Sequence, residues 1–247
     1  MNAAIVGATG LIGQHLLIGL LQQVEYKTVY VIGRRLPEWF SEHHKTKPRF
    51  NNSQPLSSGQ INKLVFIQAE LDEFPQVTLP EFINHAYCCL GTTIKKAGSQ
   101  TQFIKVDKTA VIDFAHMILR SAEYLPDSAR EQHFKVVTAI GADPDSKIFY
   151  NKVKGEVQQS LMDLPLAEIY FYQPSLLIGK RDEHRFLEAL GQSVFNVFSG
   201  VFVGPLQQYK PITAQAVANA MLLHTETNPE RFQVISNKQM HQLYSTE

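Results

Sequence analysis

Cysteine is scarce and poorly placed for cross-linking: the 247 residues hold only two, Cys88 and Cys89, side by side. Neighbouring cysteines rarely bridge, so neither a disulfide framework nor a thiolate metal site is expected. An excess of charge of one sign is also missing. Lysine plus arginine number 23, matched by 23 aspartates and glutamates. That balance argues against a broadly basic nucleic-acid surface. No apolar run reaches the roughly 18–20 residues that span a bilayer. The segment LIGQHLLIGLL (11–21) looks like a signal-peptide core, yet it has no basic leader and no small-residue cleavage pattern, and it follows directly on AIVGATG. The expectation is a soluble, cytoplasmic protein with no membrane or nucleic-acid partner. Internal repeats and Gly- or Ser-rich linkers are absent too, which leaves one domain over 1–247.

What is present is an alternation. Short β-branched or aromatic runs lie at 3–7, 28–33, 63–69, 86–91, 134–139 and 168–174, and helix-like segments fall near 11–22, 107–122 and 150–163. Runs this short and continuously apolar suit strands buried on both faces, as parallel sheets require. Their alternation with helices predicts a Rossmann-type, doubly wound α/β fold. The polar stretch 41–62 reads as an exposed loop. Its His43 and His44 have no third ligand at useful spacing, so no metal site is expected. After residue 180 the pattern is irregular to about 210, then a helix near 213–224 and a strand at 232–236 follow. The irregular part reads as a small lobe over the carboxyl edge of the sheet.

The first strand runs into Gly7-Ala-Thr9-Gly10-Leu11-Ile12-Gly13 and then a helix. Gly7 allows the tight turn, Gly10 lets backbone approach a pyrophosphate, and Gly13 permits close packing of helix on strand. The free N–H groups of the helix start favour an anion there. At the end of the second strand VIGRR supplies Arg34 and Arg35 and no carboxylate. Guanidinium groups match a 2′-phosphate, whereas an acidic residue would match a free ribose hydroxyl, so NADP(H) is the expected cofactor.

Several blocks in order, GATGLIG (7–13), IGRR (32–35), CCLGTTIKKAGS (88–99), VDKTAV (106–111), YNKVKGEVQ (150–158) and QPSLLIGKR (173–181), make the chain resemble an atypical short-chain dehydrogenase/reductase. The resemblance is to the branch of the Tat-interacting oxidoreductase-like proteins and bacterial sugar-nucleotide epimerase-like relatives. It implies that Leu90, Gly91, Thr92 and Thr93 lie near the cofactor's ribose and phosphates, and that Asp72 lies by the adenine. It further implies that Pro174 to Leu177 meet the nicotinamide carboxamide, that Tyr150 is the general acid/base, and that Lys154 holds the ribose hydroxyls.

The Tyr150–Lys154 pair also has a physical case of its own. Residues i and i+4 share one helix face. A phenol titrates near pH 10, and a nearby ammonium favours its ionised form, which brings proton transfer closer to neutral pH. For the third catalytic group, the family's serine at the end of the fifth strand is missing. VVTAIGAD offers Thr138, with Ala139 beside it. If the hydroxyl belongs at 138 the site is complete; if it belongs at 139, a binding role gains weight. Arg181 and Arg185 either clamp an anionic substrate or pair with Asp182, Glu183 and Glu188 on a solvated helix. Phe186, Phe195, Phe198, Phe202 and Tyr209 suggest an apolar pocket or plain core. Three functions are therefore open: an NADP(H)-dependent oxidoreductase on a small carbonyl or alcohol, an NADP(H)-binding regulator acting through protein partners, and a sugar-nucleotide epimerase. A homo-oligomer is compatible with each.

Overall fold

A computed structural model of the chain describes residues 1–40, 55–126, 131–178, 208–223 and 230–244. Seven strands form one sheet: β1 (Asn2–Val6), β2 (Thr28–Gly33), β3 (Leu64–Gln68), β4 (His85–Cys88), β5 (His133–Val137), β6 (Glu168–Gln173) and, later in the chain, Phe232–Ser236. A two-residue ladder, β7 (Leu177–Ile178) with β8 (Ile212–Thr213), precedes that last strand, which is therefore β9. The sheet order is β3-β2-β1-β4-β5-β6-β9, and every pairing is parallel. The order reverses between β1 and β4, and in open α/β sheets the crevice beyond the strand ends at such a reversal is where ligands bind.

The helices are α1 (Leu11–Gln22), the single turns α2 (Ser58–Ile61) and α3 (Ile94–Ala97), α4 (Gln100–Ile104), α5 (Ala110–Arg120), α6 (Phe149–Met162), α7 (Ala214–Leu223) and α8 (Asn237–Tyr244). They cover both faces of the sheet. Ala3 and Ile5 of β1 pack with Leu16 and Leu20 of α1, Val217 and Met221 of α7 and Met240 of α8. Ala4 and Val6 face the other way, toward Val111, Phe114 and Ile118 of α5 and Val157 and Leu161 of α6. The alternating side chains of a pleated strand produce this division, and burial on both sides explains the unbroken apolar runs.

Four features depart from the sequence expectation. The helix expected from 107 begins instead at Gln100, and between α4 and α5 lies a π turn, Lys105–Thr109, in which Ala110 N donates to Lys105 O. The end of the expected loop 41–62 holds α2, whose start is fixed by Ser57 and Gln60 bonding reciprocally to each other's backbone N–H. Helix α8 had no sequence signal. The fourth is the polar face of the central strands. Lys135 on β5 is 3% exposed, donates to Met221 O at 3.2 Å, and lies over the rings of Tyr87 and Tyr170 at 5.5 and 5.6 Å. Its ammonium meets a carbonyl near the end of α7, where the helix dipole favours a cation. The region expected to form the small lobe falls largely outside the described residues, as do His43, His44, Arg181, Asp182, Glu183, Arg185, Phe186, Glu188, Phe195, Phe198 and Phe202. Tyr209 is described, and it is exposed.

Candidate functional site

Beyond the carboxyl ends of β1, β2 and β4 lies a cleft of about 420 Å³. Gly7, Thr9, Gly10, Arg34, Arg35, Leu90, Gly91 and Thr92 line it, together with Lys96 and Gln102. Gly7 has φ +78°, and a side chain there would overlap the backbone of Cys89 and Leu90. The turn closes with Gly10 N donating to Gly7 O at 2.9 Å. Gly13 presses its Cα against the Gly7 carbonyl, so α1 leaves the strand at close range. Leu11 stays exposed at the helix start, whereas Ile12 enters the core.

The remaining residues singled out from the sequence divide between the rim and the interior. Asp72, in the turn Leu71–Glu73, is paired with Lys105 at 2.5 Å. The Arg34 guanidinium stands 3.9 Å from Glu70; both are exposed, so the attraction is weak. Thr93 caps α3 by accepting from Lys96 N at 3.1 Å. Pro174 follows β6, its carbonyl accepting from Ile140 N, and Leu177 pairs with Ile212 in the small ladder. Neither Tyr150 nor Lys154 is part of the cleft lining.

Contacts nevertheless join that pair to the cleft. Lys154 Nζ lies 2.8 Å from Asp107 Oδ1, with the two side chains only 4% and 1% exposed. The other oxygen, Asp107 Oδ2, accepts from Thr92 N at 2.9 Å, and Thr92 lines the cleft. Tyr150, one turn before Lys154, packs its ring on Phe103 at 5.6 Å. Gly155 lets α6 lie on the loop before it, since a Cβ there would overlap the backbone of Asp143 and Pro144. Burial pushes the Tyr150 phenol above its ordinary pKa; Lys154 lowers it, and Asp107 raises it again. Spacing in the sequence pairs the phenol with the Lys154 ammonium; the fold adds a carboxylate, Asp107, that shares that ammonium.

Thr138 is buried and its hydroxyl is already engaged. It accepts from Gln158 Nε2 at 2.9 Å and lies 3.3 Å from the Tyr172 carbonyl, to which it donates. Ala139 beside it has no hydroxyl. Burial pushes the Cys88 thiol up to about 12 and raises that of Cys89, which disfavours the thiolate at both.

Three contributors were not singled out from sequence. Asp107 stood inside a quoted block without a role. The signal was legible, because Phe103, Asp107, Ala110 and Phe114 form one buried stripe, and an acid in such a stripe needs a partner. Lys96 lies on the single turn α3 and lines the cleft; that turn ends at Gly98, where the chain is left-handed. Asn237, 1% exposed, accepts from Ser175 N at 3.1 Å and donates to Lys210 O at 2.7 Å, fixing the segment after β6. That contact spans 62 residues and leaves no local trace.

Glycine turn, reversed strand order and flanking helices define a Rossmann-type α/β protein. No family model matches the chain. Protein HTATIP2 of Rattus norvegicus is 33% identical over 193 residues, covering 77% of this chain and 69% of that protein. The mitochondrial protein FMP52 of Eremothecium gossypii is 29% identical over 209 residues, 83% of this chain and 76% of that one. Among solved structures, ElxO with NADP bound superposes with TM-score 0.62 at 13% identity, over 97% of this chain and 98% of that one. The human epimerase family protein SDR39U1 with NADPH gives 0.56 at 15% identity, over 97% and 77%. The chain belongs to the atypical short-chain dehydrogenase/reductases, in the branch that holds HTATIP2 and FMP52.

Proposed function

We propose that the chain is an NADP(H)-dependent oxidoreductase that moves hydride to or from a small carbonyl or alcohol, with Tyr150 as acid–base group. The observation that supports this most is the path Thr92–Asp107–Lys154, which ties the cleft wall to the helix turn below Tyr150. The cleft suits the cofactor. Its described lining carries three cationic residues, Arg34, Arg35 and Lys96, and no carboxylate, and the turn at Gly7 offers backbone where a side chain would not fit. Structures of the same fold with NADP or NADPH bound add support.

When bound, such a cofactor supplies hydride. The chain's own residues do the rest. Backbone of the turn at Gly7 and the first turn of α1 would hold the pyrophosphate, with Arg34 and Arg35 on the 2′-phosphate. Leu90, Gly91, Thr92 and Thr93 would meet ribose and phosphate, with Asp72 by the adenine. Pro174 and Leu177 would face the carboxamide. Lys154 would reach the ribose hydroxyls while holding its charge near the phenol. Tyr150, whose hydroxyl has no hydrogen-bond partner among the described residues, is free to exchange a proton with a substrate oxygen.

A second reading, a cofactor-binding regulator acting through a protein partner, is favoured by one observation. Thr138 spends its hydroxyl on Tyr172 and Gln158, and Ala139 offers none, so the third catalytic group has no evident source there. Epimerisation has no observation of its own. We propose further that 1–247 is one domain and works in the cytoplasm. No helix among the described residues is long and apolar enough to cross a membrane, while FMP52 carries "mitochondrial" in its name. Imaging of the tagged protein decides that point.

The test is NADPH oxidation against a panel of aldehydes, ketones and quinones, with Tyr150→Phe alongside. Loss of turnover by at least about 100-fold with cofactor affinity kept, the size general acid–base catalysis contributes, supports the enzyme. Tight NADPH binding without turnover supports the regulator.

A further inference from the structure

We propose that Asp107 is a positioning residue that keeps the Tyr150–Lys154 pair electrically neutral and so biases the site toward giving a proton to a carbonyl oxygen. This rests on the reading of Tyr150 as the acid–base group.

The geometry comes from the π turn. Asp107 lies within that turn between α4 and α5, buried in line with Phe103 and Ala110, and its carboxylate meets Lys154 on α6. Both carboxylate oxygens are then committed, one to Lys154 and one to Thr92 N. Of the other charges along the π turn and α6, Lys108 and Glu156 pair with each other at 2.8 Å, Lys105 pairs with Asp72, and Lys152 is exposed. Among the described residues Tyr150 therefore faces one ammonium and one carboxylate in a poorly solvated place. An ammonium alone favours a phenolate; a carboxylate beside it opposes that, and burial then decides for the neutral phenol. The raised phenol pKa, with burial as its largest cause and Asp107 working against Lys154, agrees.

A neutral phenol carries the proton that reduction of a carbonyl consumes, whereas alcohol oxidation needs the ionised form. The reduction balances with a reduced nicotinamide as reductant: the carbonyl carbon gains the hydride and the oxygen gains the phenol's proton. A phenolate is left, to be reprotonated by solvent.

The test uses the full chain without cofactor, labelled with ¹³C at the tyrosine ring carbon that bears the hydroxyl, and NMR titration of the Tyr150 signal identified by its loss in Tyr150→Phe. In Asp107→Asn the phenol should become about tenfold more acidic than in the wild type. In Lys154→Met it should become less acidic, and Asp107→Asn added to Lys154→Met should reverse that change. The double variant carries no lone buried charge of this pair and serves if Asp107→Asn alone does not fold. Tyr150 titrating alike with and without Asp107, in either background, overturns the proposal. No cofactor enters the measurement, so failure here is distinct from failure of NADPH to bind.

Discussion

Gly155 shows how much a single position carries. It sits directly after Lys154, and its missing side chain is what lets α6 rest on the backbone of Asp143 and Pro144. Gly155→Ala should therefore push the helix away from that loop. Overpacking of this kind costs about 1–3 kcal/mol, which for a chain of this length lowers Tm by roughly 2–4 °C per kcal/mol. Thermal unfolding followed by circular dichroism checks this; an unchanged Tm would mean that the loop yields freely. The glycine itself was visible in the sequence, within YNKVKGEVQ, but its reason was not, because the loop it meets lies a dozen residues back. Tyr150 and Lys154 were legible by spacing alone. A helix read from 107 puts Asp107 at a helix end, whereas the buried stripe begins a turn earlier, at Phe103. Reading the stripe from Phe103 onward would have exposed it.

Among the strands, alternation and apolar content located β1 to β3, β5, β6 and β9 within a residue or two, and α1, α6 and α7 equally well, while β4 ends three residues before its apolar run does. Continuous apolar runs imply central strands that are apolar on both faces, and one face is not. His85, His133 and Glu168 start β4, β5 and β6 in register, followed by Tyr87, Lys135 and Tyr170 on the same face. Tyr26 OH lies 2.6 Å from His85 Nδ1 and 2.9 Å from Tyr87 OH, His133 lies 3.2 Å from Glu168, and Tyr170 donates to Glu168. Burial, with Lys135 and His133 close by, holds His85 down at about pKa 3, against an ordinary value of 6.5. A base whose pKa is depressed in the folded state binds fewer protons than the unfolded chain between those two values. Its contribution to stability is complete above about pH 6.5 and is lost as pH falls toward about 3. The slope is at most about 1.4 kcal/mol per pH unit from this one group. Urea unfolding across that window should give a falling midpoint for the wild type and a flatter line for His85→Gln. Equal slopes for the two would contradict the assignment to His85.

Fold class was legible across the whole chain because a parallel α/β sheet writes itself locally, strand by strand and helix by helix. Strand order was not, since it is settled by crossovers and by contacts such as β6 with β9 that no local pattern encodes. Yet the order is what makes the site. The reversal between β1 and β4 opens the cleft beside Gly7, and the neighbouring β5 and β6 lead to the loops below Tyr150. The glycine turn and Arg34, which local motifs single out in the sequence, line one cleft, whereas Lys96, which lines it too, and Asn237 carry no such local mark. Spacing rules announced the first group; only the folded chain brings in the second. A crystal structure of the protein soaked with NADPH tests the resulting picture most directly. It should show phosphate against Arg34 and Arg35 and the nicotinamide ring beside the Tyr150 hydroxyl. An empty cleft, or a ring held away from that hydroxyl, would contradict it.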